Sequence, residues 1–193
     1  MATFGYTGAD GASTRTFEGI IRAGLFTCSE NGTPTSITAR LSQNTADNHD
    51  FEFALYKASD NSLIAETVQG SKSTTTEEEI TLAIDGKPTN LIAGEDYYIC
   101  VWGTSGPGVI RLQYTASVGT SDRQTIAYTG TWPDPFVPEG TAGETTDRYD
   151  IYCTYTPIVA TTTTPSGYLK SLFKERNPME ELRESHARLR GLI

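Results

Sequence analysis

Residues 51–69 read FEFALYKASDNSLIAETVQ, and this stretch decides the fold class. Phe51, Phe53 and Leu55 alternate with other side chains, which is the period-2 pattern of a strand with one face on a core. The turn-forming tetrapeptide SDNS follows, and a second strand pattern resumes at 62–69. The stretch therefore predicts a β-hairpin.

Similar patterns recur through the first 157 residues, with turn residues between them. The further predicted strands are 16–28, 36–43, 79–85, 96–103, 109–116, 124–130 and 149–156. Segment 96–103 (DYYICVWG) is apolar almost throughout, so we expect it to be a central strand. About nine short strands without an alternating helix pattern predict an all-β fold, an antiparallel β-sandwich.

The chain changes character after residue 157. Residues 158–167 (IVATTTTPSG) form a Thr-rich linker, and residues 168–193 lose the β-branched bias and take up helical spacing. Asn177 suits the N-cap of a helix and Pro178 suits its first position. We therefore predict a β-sandwich at 1–157, a linker, and a short C-terminal helical tail.

The tail carries an apolar seam. The residues predicted to anchor the chain or to join copies of it are Leu169, Leu172, Phe173, Met179, Leu182, His186, Leu189 and Ile193. The last five have heptad spacing, with His186 as the polar member. An isolated helix of this length is marginally stable, so the seam is expected to pack on a partner, on copies of itself or on its own body. The Thr-rich linker favours an intermolecular role.

Charge is distributed unevenly. Residues 1–157 carry nine basic and 20 acidic side chains, whereas residues 168–193 carry six basic and four acidic ones. An acidic body repels phosphate backbones, so we expect no nucleic-acid partner.

No stretch approaches 18 apolar residues, so no membrane span is expected. The N-terminal MATFGYTGADGAS has neither a charged nor an apolar region, so we expect no secretory signal peptide there.

The chain offers few residues for metal or nucleophile chemistry. It contains two His and three Cys, which excludes a His-rich metal centre and a four-Cys zinc site. Cys28, Cys100 and Cys153 are scattered and odd in number, so we expect buried free thiols, with one disulfide bridge as the alternative. We predict no catalytic residue, no metal ligand and no required cofactor.

Three loop segments have local patterns that raise the question of a ligand. Residues 47–50 (DNHD) and the pair Asp60 and Asn61 offer oxygen ligands, which leaves a structural calcium ion open; the alternative is ordinary turn chemistry. Residues 103–108 (GTSGPG) lack the Lys and the following helix of a phosphate-binding loop, so we expect a hairpin loop.

The two tryptophans have different surroundings. Trp102 lies within the apolar segment 96–103 and is expected in the core, whereas Trp132 lies in the proline-rich TWPDPFVP (131–138) together with Phe136. Rigid aromatic rings can stack on sugars, so Trp132 and Phe136 are a possible ligand surface. The alternative is that both rings cover apolar surface of the sandwich.

Several segments together resemble a known kind of module. SITARL, FALYKASDNSLIAET, LIAGEDYYICVW and TWPDPF followed by RYDIYCTYTP are similar to jelly-roll-type β-sandwich modules of tailed-virus virion proteins and of microbial cell-surface proteins. The resemblance covers about residues 3–157 and excludes the tail. It implies a jelly-roll-like sandwich without catalytic residues.

The resemblance also implies a function. The leading expectation is a non-enzymatic virion structural protein, located in the virion as a head decoration, fibre or tail-surface subunit. Its partners would be copies of itself or a capsid or tail lattice protein. The alternative is a carbohydrate-binding or adhesion module on an extracellular surface, with surface glycans as partners.

Overall fold

Thirteen strands join in one sheet in the computed structural model, which describes residues 1–8, 13–140 and 146–159. No helix occurs within these ranges. The strands are β1 (Ala2–Gly5), β2 (Ser13–Thr16), β3 (Ile20–Thr27), β4 (Gly32–Gln43), β5 (His49–Lys57), β6 (Leu63–Thr67), β7 (Gly70–Lys72), β8 (Glu78–Asp85), β9 (Asp96–Gly103), β10 (Ile110–Thr115), β11 (Ser121–Thr125), β12 (Arg148–Tyr149) and β13 (Ile151–Pro157).

The strand order along the sheet is β1-β13-β4-β8-β6-β5-β9-β3-β11. β10 pairs with β2, β4 and β12, and β7 pairs with β5. All of these named strands pair antiparallel. Side chains of β4 and β13 share one buried cluster with side chains of β5 and β9, so the sheet folds over itself in a sandwich-like manner. The prediction of an all-β, antiparallel body is confirmed.

The shared cluster, which we call the core cluster, is built by alternation along the strands. In β5, Phe51, Phe53 and Leu55 point into it and are fully buried. The neighbouring β9 contributes Ile99 and Val101, and Val101 stands opposite Phe53. β9 lies between β5 and β3, as the apolar segment 96–103 predicts.

The opposite side of β3, β5 and β9 is also buried. Its strand residues form a second cluster, with the members Ile21, Ala23, Ala54, Tyr56, Cys100 and Trp102. Burial on both sides explains why segment 96–103 is apolar almost throughout, because both faces of β9 are buried from Ile99 onward.

Two predicted strands differ from the structure. Segment 124–130 was expected to be a strand, but β11 ends at Thr125 and residues 126–130 have no regular structure. Segment 16–28 was expected to be strand-like with bends or bulges at Gly19 and Gly24, and the chain does turn at Gly19, which has a φ of 62°. That left-handed conformation favours glycine and separates β2 from β3.

The sheet belongs to one compact unit, Met1–Ile158. The predicted helix at 168–193 lies outside the described residues, as does the predicted linker beyond residue 159. Both therefore stay predictions.

Candidate functional site

Residues 126–139, which we call the strap, cover the second cluster without regular secondary structure. Trp132 and Phe136 of the strap are 4% and 1% exposed. Neither ring therefore presents a free face on which a sugar could stack. The two rings instead cover apolar surface of the sheet, which is the alternative to a ligand surface given above.

Aromatic rings make most of the contact between the strap and the sheet. Trp102 of β9 has its ring centroid 5.4 Å from that of Trp132 and 5.0 Å from that of Tyr128. The ring of Phe136 lies 5.5 Å from Tyr56 of β5. Tilted and edge-on pairs at these distances add favourable quadrupole interactions to the burial of apolar area. Both tryptophans of the chain thus lie in this cluster.

Hydrogen bonds from sheet side chains hold the strap in place. The Tyr56 hydroxyl donates to the Pro133 carbonyl at 2.6 Å, and the Trp102 indole N–H donates to the Ile126 carbonyl at 3.0 Å. These bonds satisfy strap carbonyls that have no strand partner, which buried backbone groups require. The strap is therefore held by side-chain hydrogen bonds and by isolated backbone bonds, such as that from the Phe136 N–H to the Asn61 carbonyl, rather than by a ladder of backbone pairs.

A carboxyl group lies beneath the strap. Glu52 stands on β5 on the same side as Ala54 and Tyr56 and is only 7% exposed. The Tyr128 hydroxyl of the strap donates to Glu52 Oε1 at 2.7 Å. Glu66 of β6 pairs with Ala54, so its carboxylate is on the same side of the sheet as Glu52.

These surroundings shift two ionisation equilibria. Burial raises the pKa of Glu52, and the charge of Glu66 raises it further, while the hydrogen bond from Tyr128 acts in the opposite direction. Burial and the adjacent Glu52 carboxylate raise the pKa of Tyr128, which therefore stays protonated near neutral pH. The site can hold or release a proton at Glu52, and a substrate would reach that carboxyl only by displacing the strap.

A second buried titratable group lies under the loop at 103–108, which connects β9 to β10. The prediction of a hairpin loop is wrong, because β9 pairs with β3 and β5 whereas β10 pairs with β2, β4 and β12. His49 is 0% exposed, with Nδ1 3.4 Å from the Thr104 carbonyl oxygen and 3.7 Å from Glu18 Oε1. A Cβ at Gly106 would lie 2.8 Å from the His49 ring. The glycine thus permits the loop to close over the imidazole.

The loop carboxylates of the sequence prediction have local hydrogen-bond roles. Asp47 Oδ2 accepts from the Thr45 hydroxyl at 2.7 Å. Asp60 Oδ1 accepts from both the backbone N–H and the hydroxyl of Ser62, which lowers the pKa of Asp60. Within residues 1–8, 13–140 and 146–159, no group of three or more His, Cys, Asp and Glu side chains could hold a metal ion. A calcium ion stays a prediction.

A buried lysine is a residue that the sequence reading missed. The Lys72 side chain is 1% exposed, and its ammonium group donates to Glu78, to the Thr76 carbonyl at 2.7 Å and to the Thr74 hydroxyl at 3.2 Å. The ammonium therefore has three oxygen partners, as a buried cation requires. No sequence pattern distinguishes Lys72 from a surface lysine.

The three cysteines are free and buried, as expected. Burial raises the pKa values of Cys100 and Cys153, so neither thiol is an activated nucleophile. The eight predicted anchoring residues of the tail all lie outside the described residues.

No family model matches the chain, and no curated protein matches it significantly. In the part of the chain that the structure describes, no helix is long and apolar enough to cross a membrane.

Proposed function

We propose that this chain is a non-enzymatic structural protein of a virus particle, which displays its β body and attaches through the C-terminal segment 168–193. The body would be a jelly-roll-type module, in keeping with the resemblance of its sequence to virion and tail proteins. Its partners would be copies of itself or a capsid or tail lattice protein.

One observation carries the proposal. Both buried clusters of the described body consist of residues between Phe4 and Tyr155, so the described body has a buried core made from its own strands and loops. In this proposal the apolar seam of the tail makes the intermolecular contact. Each fully buried Leu, Met or Phe contributes roughly 1.5–3 kcal/mol to such a contact, less the cost of ordering the segment.

The way the body ends also suits attachment. The last strand, β13, is hydrogen-bonded to β1 on one side and to β4 on the other. The chain continues past Pro157 with the Ile158 N–H bonded to the Asn31 carbonyl at 2.8 Å. A force applied through the C-terminal segment would therefore act on a strand that has partners on both sides.

The proposal is tested by the solution mass of the full chain beside a 1–160 truncation, measured by light scattering on a sizing column. We expect an oligomer from the full chain and a folded monomer from the truncation. Leu182→Asp in the predicted seam should dissociate the oligomer, because it places a charge in an apolar contact. Ala187→Asp introduces the same charge on the opposite side of the predicted helix and should leave the oligomer intact.

A full chain that stays monomeric at all concentrations would exclude self-association. Attachment would then have to be to a different lattice protein, and the proposal would fail if no seam-dependent partner were found among the proteins of the source particle. Equal effects of Leu182→Asp and Ala187→Asp would exclude the seam as the attachment surface.

A further inference from the structure

Two side chains of the strap, Tyr128 and Trp132, act on Glu52, and both favour its ionised form. The Glu52 carboxyl is buried where the strap meets β5, and Tyr128 of the strap donates to it. A Cβ at Gly130 of the strap would lie 4.0 Å from Glu52 Oε1, so the backbone also passes close to this carboxyl. Any movement of the strap away from the sheet exposes Glu52 to water.

We propose that the strap is a proton-controlled latch, which protonation of Glu52 holds against β5 and β9 and ionisation of Glu52 loosens. The groups that face Glu52 are the Tyr128 hydroxyl from the strap and the Glu66 carboxylate from β6; Asp50 lies two residues away on β5 itself. Both neighbouring carboxylates carry the same charge as ionised Glu52. No cation offsets that charge among the groups that affect Glu52.

The direction of the effect follows from proton linkage. With the strap closed, burial and Glu66 raise the pKa of Glu52, whereas with the strap open hydration returns it towards the ordinary value of a glutamate. The closed form therefore binds the proton more tightly. The equilibrium constant for strap opening therefore increases as the pH rises from the ordinary pKa of a glutamate through the raised pKa of Glu52 in the closed form. Above and below that pH window the opening equilibrium does not depend on pH.

The strap can open without disrupting the sheet. Its bonds to the sheet come from scattered groups, such as the Phe136 N–H to the Asn61 carbonyl at 3.0 Å and the Leu63 N–H to Asp134 Oδ1 at 3.1 Å. Segments held by few hydrogen bonds of this kind open locally at lower free energy than strands inside a ladder. The second cluster would then lose its cover while the core cluster on the other side of β5 stays closed.

Hydrogen exchange on the full chain tests the latch. Strap amides such as those of Ile126 and Phe136 should exchange faster at pH 8 than at pH 4, after correction for intrinsic chemistry, and the amides of β9 should not. Each unit by which the closed-state pKa exceeds the open-state pKa appears as a tenfold change in the opening equilibrium. Acrylamide quenching of Trp102 and Trp132 gives an independent measure, since both tryptophans lie in the strap-covered cluster.

Three variants assign the proton to Glu52. Glu52→Gln keeps an oxygen acceptor for Tyr128 but cannot titrate, so the pH dependence of strap opening should vanish. Glu66→Gln removes a like charge and should move the pH midpoint of strap opening to lower pH. Tyr128→Phe removes the hydrogen bond that favours the charged form and should move the midpoint to higher pH. The exposed Glu30→Gln, on the turn before β4, is the control and should change nothing.

The proposal is overturned if Glu52→Gln retains the pH dependence of the native chain, or if strap exchange shows no such dependence at all. Should Glu52→Gln fold poorly, opposite midpoint shifts in Glu66→Gln and Tyr128→Phe still support the proposal. Shifts of the same sign, or none, contradict it. Quenching that changes with pH while strap exchange does not would also contradict it, because the proton would then affect fluorescence without moving the strap.

Discussion

The two buried clusters differ in how their backbone is held. The core cluster is closed on both sides by strands that pair with one another, whereas the second cluster has strands on one side and the strap on the other. Burial is equally complete in both, since Phe53 and Phe136 are each 0–1% exposed. The comparison teaches that side-chain burial and backbone pairing are separate properties, and that they need not accompany each other.

The largest expected difference between the clusters comes from matched truncations. Phe53→Ala should cost about 3–5 kcal/mol of unfolding free energy, because the paired strands around it cannot collapse into the cavity. Phe136→Ala should cost about 2–3 kcal/mol, because the irregular strap can settle into part of the space. Urea unfolding of both variants followed by circular dichroism measures the two values. Equal costs would show that the strap is as rigid as the strands.

The same distinction explains what sequence reading can predict. Alternation in QTIAYTG predicts a strand at 124–130, yet the structure has strap from residue 126 onward. Ile126 and Tyr128 do alternate with exposed residues and do face the sheet, so the pattern reports one-sided burial correctly. It cannot report whether the backbone pairs.

The core strands were predictable for the complementary reason. In β5 and β9 the residues of the core cluster recur at period 2 within segments of strand length, so the local sequence is enough to place them. Glu52 was not predictable as a buried group, because its cover comes from Tyr128, 76 residues away in the chain. Its only local signal is that it is the one acidic residue within FEFALYK. His49 and Lys72 are likewise buried by distant or irregular segments, which single-sequence patterns do not contain.

A smaller change in unfolding free energy is expected when one side-chain hydrogen bond to the strap is removed. Tyr56→Phe removes the hydroxyl that donates to the Pro133 carbonyl and should cost about 1–2 kcal/mol, since that carbonyl then lacks its buried partner. Tyr98→Phe is the matched control on β9. The Tyr98 ring also touches Phe136, but its hydroxyl forms no hydrogen bond within the described residues. Indistinguishable unfolding free energies for the two variants would mean that side-chain bonds do not hold the strap.

The smallest expected effect compares two glutamates with opposite pKa shifts. Glu78 belongs to the strand-held part of the molecule, where the Lys72 ammonium lowers its pKa. It therefore contributes stability above the ordinary glutamate pKa, and this contribution is lost as the pH falls through the lowered value. Glu52 lies under the strap with a raised pKa, so its ionisation costs stability above that value and the cost disappears in acid.

The two substitutions to glutamine should consequently have opposite signs at pH 7. Glu78→Gln should lower the unfolding free energy by less than about 1 kcal/mol, as expected for a largely exposed carboxylate, because the amide oxygen still accepts from Lys72. Glu52→Gln should raise the unfolding free energy, because it removes a buried charge that faces Glu66. Both differences should become smaller as the pH falls and the native carboxyl groups take up protons, Glu52 before Glu78, and urea midpoints at pH 3 and pH 7 measure the change. If Glu52→Gln and Glu78→Gln were both destabilised at pH 7, the ionised carboxylate of Glu52 would be stabilised under the strap as that of Glu78 is beside Lys72. The expected electrostatic difference between the two regions would then be absent.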